Sequence, residues 1–190
     1  MRESKIWMAT SSQHKYAEAR DILADFGIQL ERIQINRIEI QSDDPADIVV
    51  YSLRQLEDDG RPMVMEDAGL FLERYGGFPG PYSSYALEKL DNPGILKLME
   101  GVEDRRASYQ SAVAIRTGED IEVFRGFVWG KISQSIKGTG GFGYDPIFIP
   151  DEGDGRTFGE MSEEEKNAIS HRARAFRSLG AWLTGSEEGF

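Results

Sequence analysis

The sequence predicts an α/β fold in which a mixed β-sheet is flanked by helices, and three observations carry that expectation. The chain opens on a strand-loop-helix unit, its middle third is rich in β-branched and aromatic residues split by a turn, and it closes on a capped amphipathic helix. Strand-helix alternation favours parallel pairing and a hairpin requires antiparallel pairing, so the sheet is mixed. A chain of 190 residues with 39% hydrophobic content buries one sizeable core, and a single domain over residues 1–190 is expected.

In chain order, residues 6–9 read as a strand, followed by a short polar loop and a helix over about 15–26 that Gly27 ends. An extended stretch then runs through Ile33, Ile35, Ile38 and Ile40. Asp44 caps the next helix, with Pro45 at its first position and Ile48, Val49, Leu53 and Leu56 on one face. Met63-Val64-Met65 is a short buried strand ending at Glu66-Asp67. The turn Gly76-Gly77-Phe78-Pro79-Gly80-Pro81 leads into two helices, the second capped by Asn92 with Pro93 at its first position. Residues 107–115 and 121–128 flank Thr117-Gly118-Glu119-Asp120 and form an antiparallel hairpin. A glycine-rich loop and a strand at 147–149 precede the last helix, where Ser162 and Glu165 make a capping box and Ile169, Ala173, Phe176 and Leu183 mark the apolar stripe.

Charge and composition exclude several classes. The net charge of -11 repels a phosphate backbone, so nucleic acid is not an expected partner, although a divalent metal and a few local cations can still neutralise a small phosphorylated ligand. Without cysteine there is no disulfide, thiolate catalysis or thiolate-bound metal. No signal core and no apolar run near ~18 residues are present, so a soluble, cytoplasmic protein without a membrane partner is expected.

Four groups of polar residues bear on chemistry. Thr10-Ser11-Ser12-Gln13-His14-Lys15 lies between a strand and a helix start, where free N–H groups favour an anion; hydroxyls and a lysine there suit a triphosphate, and the same residues equally suit an N-cap cluster. Glu39 and Glu66-Asp67 stand at the ends of extended apolar segments, where carboxylates can meet at one sheet edge and hold Mg²⁺ or simply face solvent. Residues 138–143 fit G-x-G-x-x-G, yet Tyr144-Asp145-Pro146 follows where a dinucleotide site needs a helix, and no G-K-[ST] ends the loop. That loop reads instead as a base clamp, with Phe142 stacking and Asp145 hydrogen-bonding, or as a hairpin with a buried aromatic. Lys166, His171 and Arg172 fall mostly off the last helix's apolar stripe, the usual place of a solvated face.

Taken together, Glu66-Asp67-Ala68-Gly69-Leu70, Gly77-Phe78-Pro79-Gly80-Pro81-Tyr82-Ser83, Gly141-Phe142-Gly143-Tyr144-Asp145-Pro146 and the run Glu160-Met161, Glu165-Lys166-Asn167, Ser170-His171-Arg172 resemble the inosine triphosphate pyrophosphatase, or HAM1-like, family in order and across the chain. The resemblance implies an elongated, two-lobed α/β fold with a central cleft, usually as a homodimer. It also implies Mg²⁺-dependent hydrolysis of ITP, dITP and XTP between the α- and β-phosphates, cleansing the nucleotide pool. By motif position, Glu39 and Asp67 would hold Mg²⁺, and Asp67 would activate the attacking water. Thr10, Ser11, Ser12, Gln13, His14, Lys15 and Lys166 would embrace the phosphates, with Ala68 beside them. Phe142 would stack on the purine, Asp145, His171 and Arg172 would read its edge, and Gly143 and Tyr144 would also bind substrate. Two positions depart from the pattern: Ser12 stands where T-x-N-x-x-K has asparagine, and Tyr51 where a lysine is common.

A Maf-like nucleotide pyrophosphatase preferring pyrimidines is the nearest competing reading. A nucleotide sensor without catalysis is the other. The Phe142-to-Asp145 loop and the Ser170-His171-Arg172 block favour purines, and retention of Glu39 and Asp67 favours catalysis.

Overall fold

The expected strand-loop-helix unit is present as β1 (Ser4–Ala9), α1 (Gln13–Ala24) and β2 (Ile28–Ile33), with Gly27 at a left-handed φ of 68° turning the chain into β2. These and all later elements come from a computed structural model, which describes residues 4–35 and 38–185. The strand ends at Ile33, sooner than the isoleucine alternation implies. Ile38 is 64% exposed and Glu39 and Ile40 belong to no strand, because alternation specifies a strand only where another layer covers one face. Positions 36–37 of that stretch lie outside the described residues.

Helix α2 (Pro45–Arg54) starts as expected: the Asp44 carboxylate accepts from Ala46 N at 2.9 Å and Pro45 occupies the first turn. Strand β3 (Met63–Leu72) does not stop at Glu66-Asp67 but continues through them. Its second half pairs antiparallel with β4 (Pro79–Gly80), and Gly69 is required there because a Cβ would lie 2.0 Å from the Gly80 carbonyl oxygen. Helix α3 (Ser83–Leu98) contains the expected break between two helices, placed at Asp91. Strands β5 (Arg106–Thr117) and β6 (Asp120–Ile132) are neighbours joined by a two-residue turn, hence antiparallel. After them come β7 (Phe148–Pro150), α4 (Glu163–Ile169) and α5 (His171–Thr184). The single terminal helix expected from the stripe is therefore two, because Ser170 takes extended backbone (φ -68°, ψ 153°).

The seven strands form one mixed sheet in the order β2-β1-β3-β5-β6-β7, with β4 attached to β3. β1 runs parallel to β2 and β3, while β3–β4 and β6–β7 are antiparallel. The chain divides into two compact units, residues 1–67, 111–126 and 172–190 in the first and 68–110 and 127–171 in the second. In the first unit β1 and the first-unit parts of β3 and β5 are covered on both faces. Ile6, Met8, Val64, Val113 and Ile115 pack with residues of α1 and α5, and Ala9, Met63, Met65, Ala112 and Ala114 pack with residues of α2. In the second unit Leu70, Leu72, Tyr109, Val128, Ile132 and Phe148 share one core, while Phe127 and Trp129, alternating with Val128 on β6, stay exposed. Among the described residues no helix is long and apolar enough to cross a membrane.

Candidate active site

In the first unit, β1 ends at Ala9 and the next three residues turn directly into α1. Ser12 N donates to Thr10 Oγ1 at 3.1 Å, and Ser12 Oγ accepts from Lys15 N at 3.2 Å, so the N-cap role read from the loop is real. Ser11, Gln13 and His14 are exposed around it. Because the cap fixes the first turn, the Lys15 side chain has a defined direction. Its ammonium lies 2.8 Å from Glu66 Oε2 and 3.8 Å from Asp67 Oδ1.

Glu66 is the centre of this group. It is 1% exposed, and its Oε1 accepts from Ser111 Oγ at 2.9 Å and from Arg172 Nε at 3.1 Å. Arg172, itself 2% exposed, also reaches Glu18 Oε2 at 2.6 Å. Burial alone would raise the Glu66 carboxyl, but Arg172 and Lys15, with hydrogen bonds from Lys15 and Ser111, hold it down at about 2. Glu66 is thus a fixed anion that orients two cations. Its neighbour Asp67 points from β3 with its side chain 14% exposed. Two adjacent acids on one strand therefore take opposite situations, one sealed and one reachable.

In the second unit the glycine-rich loop is shaped by close backbone approach. A Cβ on Gly138 would lie 2.0 Å from the Gly159 carbonyl oxygen, and one on Gly141 would lie 2.2 Å from Asp145 Oδ2. One 3-10 turn, Asp145–Ile147, and then β7 follow, which agrees with the rejection of a dinucleotide site. Asp145 is buried; its Oδ2 accepts from Phe142 N at 2.8 Å and from Lys166 Nζ at 2.7 Å. The Lys166 ammonium also lies 4.7 Å from the centroid of the half-buried Phe142 ring. Lys166 is 3% exposed and His171 2%, so neither belongs to a solvated helix face. Tyr109 stacks on His171 with ring centroids 4.4 Å apart and planes 4° from parallel. Tyr144 donates to Ser83 O at 3.0 Å, and burial pushes its phenol up, with Asp91 adding to the effect.

Glu66, Arg172, Lys15 and Asp67 come together, as do Phe142, Asp145 and Lys166, with His171 on Tyr109. Glu39 is exposed and belongs to no helix or strand. Sequence reasoning passed over Glu18, Ser111 and Tyr109, whose partners lie 45 to 154 residues away, and spacing carries no signal over such separations.

For Mg²⁺ the donor chemistry is the test. Among the described residues no three acidic or histidine side chains gather as a cage. A Mg²⁺ ion bound by one or two carboxylates and completed by substrate phosphates and water needs no such cage, and Asp67 offers a reachable carboxylate of the right hardness.

Known proteins match this chain along nearly its whole length. A "dITP/XTP pyrophosphatase" of Pyrobaculum aerophilum is 48% identical over 184 residues, covering 95% of this chain and 96% of that protein. Among solved structures, a HAM1 protein from Coxiella burnetii superposes with a TM-score of 0.83 at 27% identity over 96% of this chain and 99% of that one. A "Nucleoside-triphosphatase / dITP/XTP pyrophosphatase" from Mycobacterium abscessus gives 0.73 at 30% identity over 92% and 98%. Since the sequence profile of the Ham1 family also matches residues 6–182, which takes in both polar groups just described, the chain belongs to the Ham1 family.

Proposed function

We propose that this protein hydrolyses the non-standard purine nucleoside triphosphates dITP, XTP and ITP to the monophosphate and pyrophosphate, in a Mg²⁺-dependent reaction on the cytoplasmic nucleotide pool. The observation that carries the reading is the pairing of a sealed, ionised Glu66 with Lys15 at the start of α1 and a reachable Asp67 beside it. That is a prearranged set of charges for a phosphate chain, and phosphoryl transfer needs chiefly positioning and charge neutralisation.

Asp67, with Glu39, would hold the metal, which when bound supplies neutralisation of phosphate charge. Lys15 and the hydroxyls and amides of residues 10–12 bind phosphate oxygens at the α1 N-terminus. Asp67 accepts a proton from the attacking water as the phosphoanhydride bond between the α- and β-phosphates breaks, and pyrophosphate leaves. Phe142 stacks on the base, and Asp145 and His171, each held by a partner, present polar edges to it. Because Lys166 already neutralises Asp145, its first job is to hold that carboxylate in place. A homodimer is the assembly that accompanies this reading, and light scattering on the purified protein measures it.

The deciding experiment is pyrophosphate release from dITP, XTP, UTP and dATP, with Mg²⁺ and with chelator, by wild type and by Asp67→Asn. Rapid turnover of dITP and XTP, lost with chelator and reduced about 10²–10⁴-fold in the variant, is expected. Preference for UTP would favour the pyrimidine reading. Near-normal release by Asp67→Asn would remove Asp67 from the mechanism.

A further inference from the structure

The segment Gly141-Phe142-Gly143 has little regular structure to hold it. Both glycines take φ of 67°, a conformation open to them for lack of a Cβ, so Phe142 sits on a part of the chain that is intrinsically permissive. An aromatic ring that is to meet a base needs a defined position, and the polar contacts made by α3 show where that definition can come from. Tyr144 is tied to the start of α3 through Ser83 O. At the break in the same helix, Asn92 Nδ2 donates to Gly143 O at 3.0 Å across 51 residues of sequence.

The break is unusual in its own right. Asp91 has φ 56° and ψ -178°, and it is the one non-glycine residue with positive φ among the described residues. Its carboxylate accepts from Asn92 N at 2.7 Å, and Pro93 follows with no N–H to give. The chain thus adopts a sparsely populated conformation one residue before the amide that grips the loop, and strain of this kind gathers at functional segments. The Asn92 amide is also one-sided. Its donor is used on Gly143, while its buried Oδ1 has no hydrogen-bond partner. An apolar residue of similar volume would spare α3 that unsatisfied acceptor, so stability of the helix alone does not account for an asparagine here.

We propose that Asn92 is a positioning residue for base recognition: the Asp91–Asn92 break in α3 fixes the Phe142 loop through the bond from Asn92 Nδ2 to the Gly143 carbonyl, and so sets affinity for the purine. This rests on the reading of Phe142 as the base-stacking residue. Asn92 touches no reacting atom; it acts through the loop. Losing it therefore weakens binding of substrate and transition state alike, which raises KM and spares kcat.

The test uses Asn92→Asp, which keeps the shape but replaces the donor by an acceptor facing a carbonyl, and Asn92→Leu, which keeps the volume alone. Hydrogen exchange of residues 138–144 and steady-state kinetics on dITP are measured for both, beside wild type and Phe142→Ala. The expected result is faster exchange confined to the loop, a KM for dITP raised about tenfold and a kcat within about twofold of wild type. Unchanged loop exchange in both variants would overturn the proposal, as would a fall in kcat at constant KM. If Phe142→Ala leaves KM unaltered, the base-stacking reading fails instead, and the exchange data still decide whether Asn92 holds the loop.

Discussion

Ser12 carries two duties that can be separated by a single substitution. Its hydroxyl caps α1, and it stands in the loop assigned to phosphate. Asparagine caps a helix about as well as serine, so Ser12→Asn leaves α1 intact while adding a second donor. A lower KM for dITP with little change in kcat is expected from steady-state assays; a KM that stays or rises would show that the serine takes no part in binding. Arg172 is the opposite case, a residue whose removal cannot be confined to substrate. With its guanidinium on Glu66 and Glu18, Arg172→Ala leaves the buried Glu66 carboxylate with only one of its two compensating cations. Breaking such a pair costs about 3–5 kcal/mol, to be read as a lower urea midpoint at unchanged slope. Loss of dITP hydrolysis in that variant is therefore informative about base reading only at temperatures where folding has been verified.

At the scale of elements, local signals were sufficient wherever the physics is local. Asp44-Pro45 and Ser162 with Glu165 start their helices where the sequence places them, the Gly118-Glu119 turn lies inside the expected segment 117–120, and α1 stops at Ala24, shortly before the expected end at Gly27, each marked through groups within a few residues. Misses fall where a distant partner decides. Strand β3 passes Glu66-Asp67 because Arg172, Lys15 and Ser111 compensate the buried charge and β4 pairs the far half, neither of which is visible in the segment itself. The stripe through Ile169 and Phe176 suggested one helix because its period persists across Ser170, and only the backbone at that residue reveals the break. The ordered blocks that carry the proposed site residues were legible, while contacts within them, such as Lys166 with Asp145, were not. The short α4 depends on its box, since seven residues are too few for a helix to stand on propensity. Ser162→Ala removes the bond to Glu165 N and should cost about 1 kcal/mol by urea titration. Because α4 carries Lys166, the variant should also quicken exchange in residues 163–169 more than elsewhere.

Over the whole molecule, acid stability turns on where the depressed carboxyls lie. Asp44, Asp59, Asp154 and Glu165 are held below their ordinary values first by side-chain or backbone hydrogen bonds with Arg125, Arg61 and Arg156, but these pairs are solvated and contribute little. Glu66 differs in being sealed from water. Its carboxyl falls from 4.5 in the unfolded chain to about 2 in the fold. A folded value below the unfolded one means that the unfolded state takes up its proton first as pH drops. The stabilisation is complete above pH 4.5, declines between 4.5 and about 2, and is gone below the folded value. The shift corresponds to about 3 kcal/mol. Glu66→Gln should start less stable at neutral pH, because Lys15 and Arg172 lose their shared anion, yet it should lose less on acidification. Urea unfolding of both proteins at pH 7, 4.5 and 2.5 measures this directly. Curves that converge toward low pH place the acid sensitivity in Glu66, whereas parallel curves would assign it to the surface carboxylates that make up most of the -11 net charge.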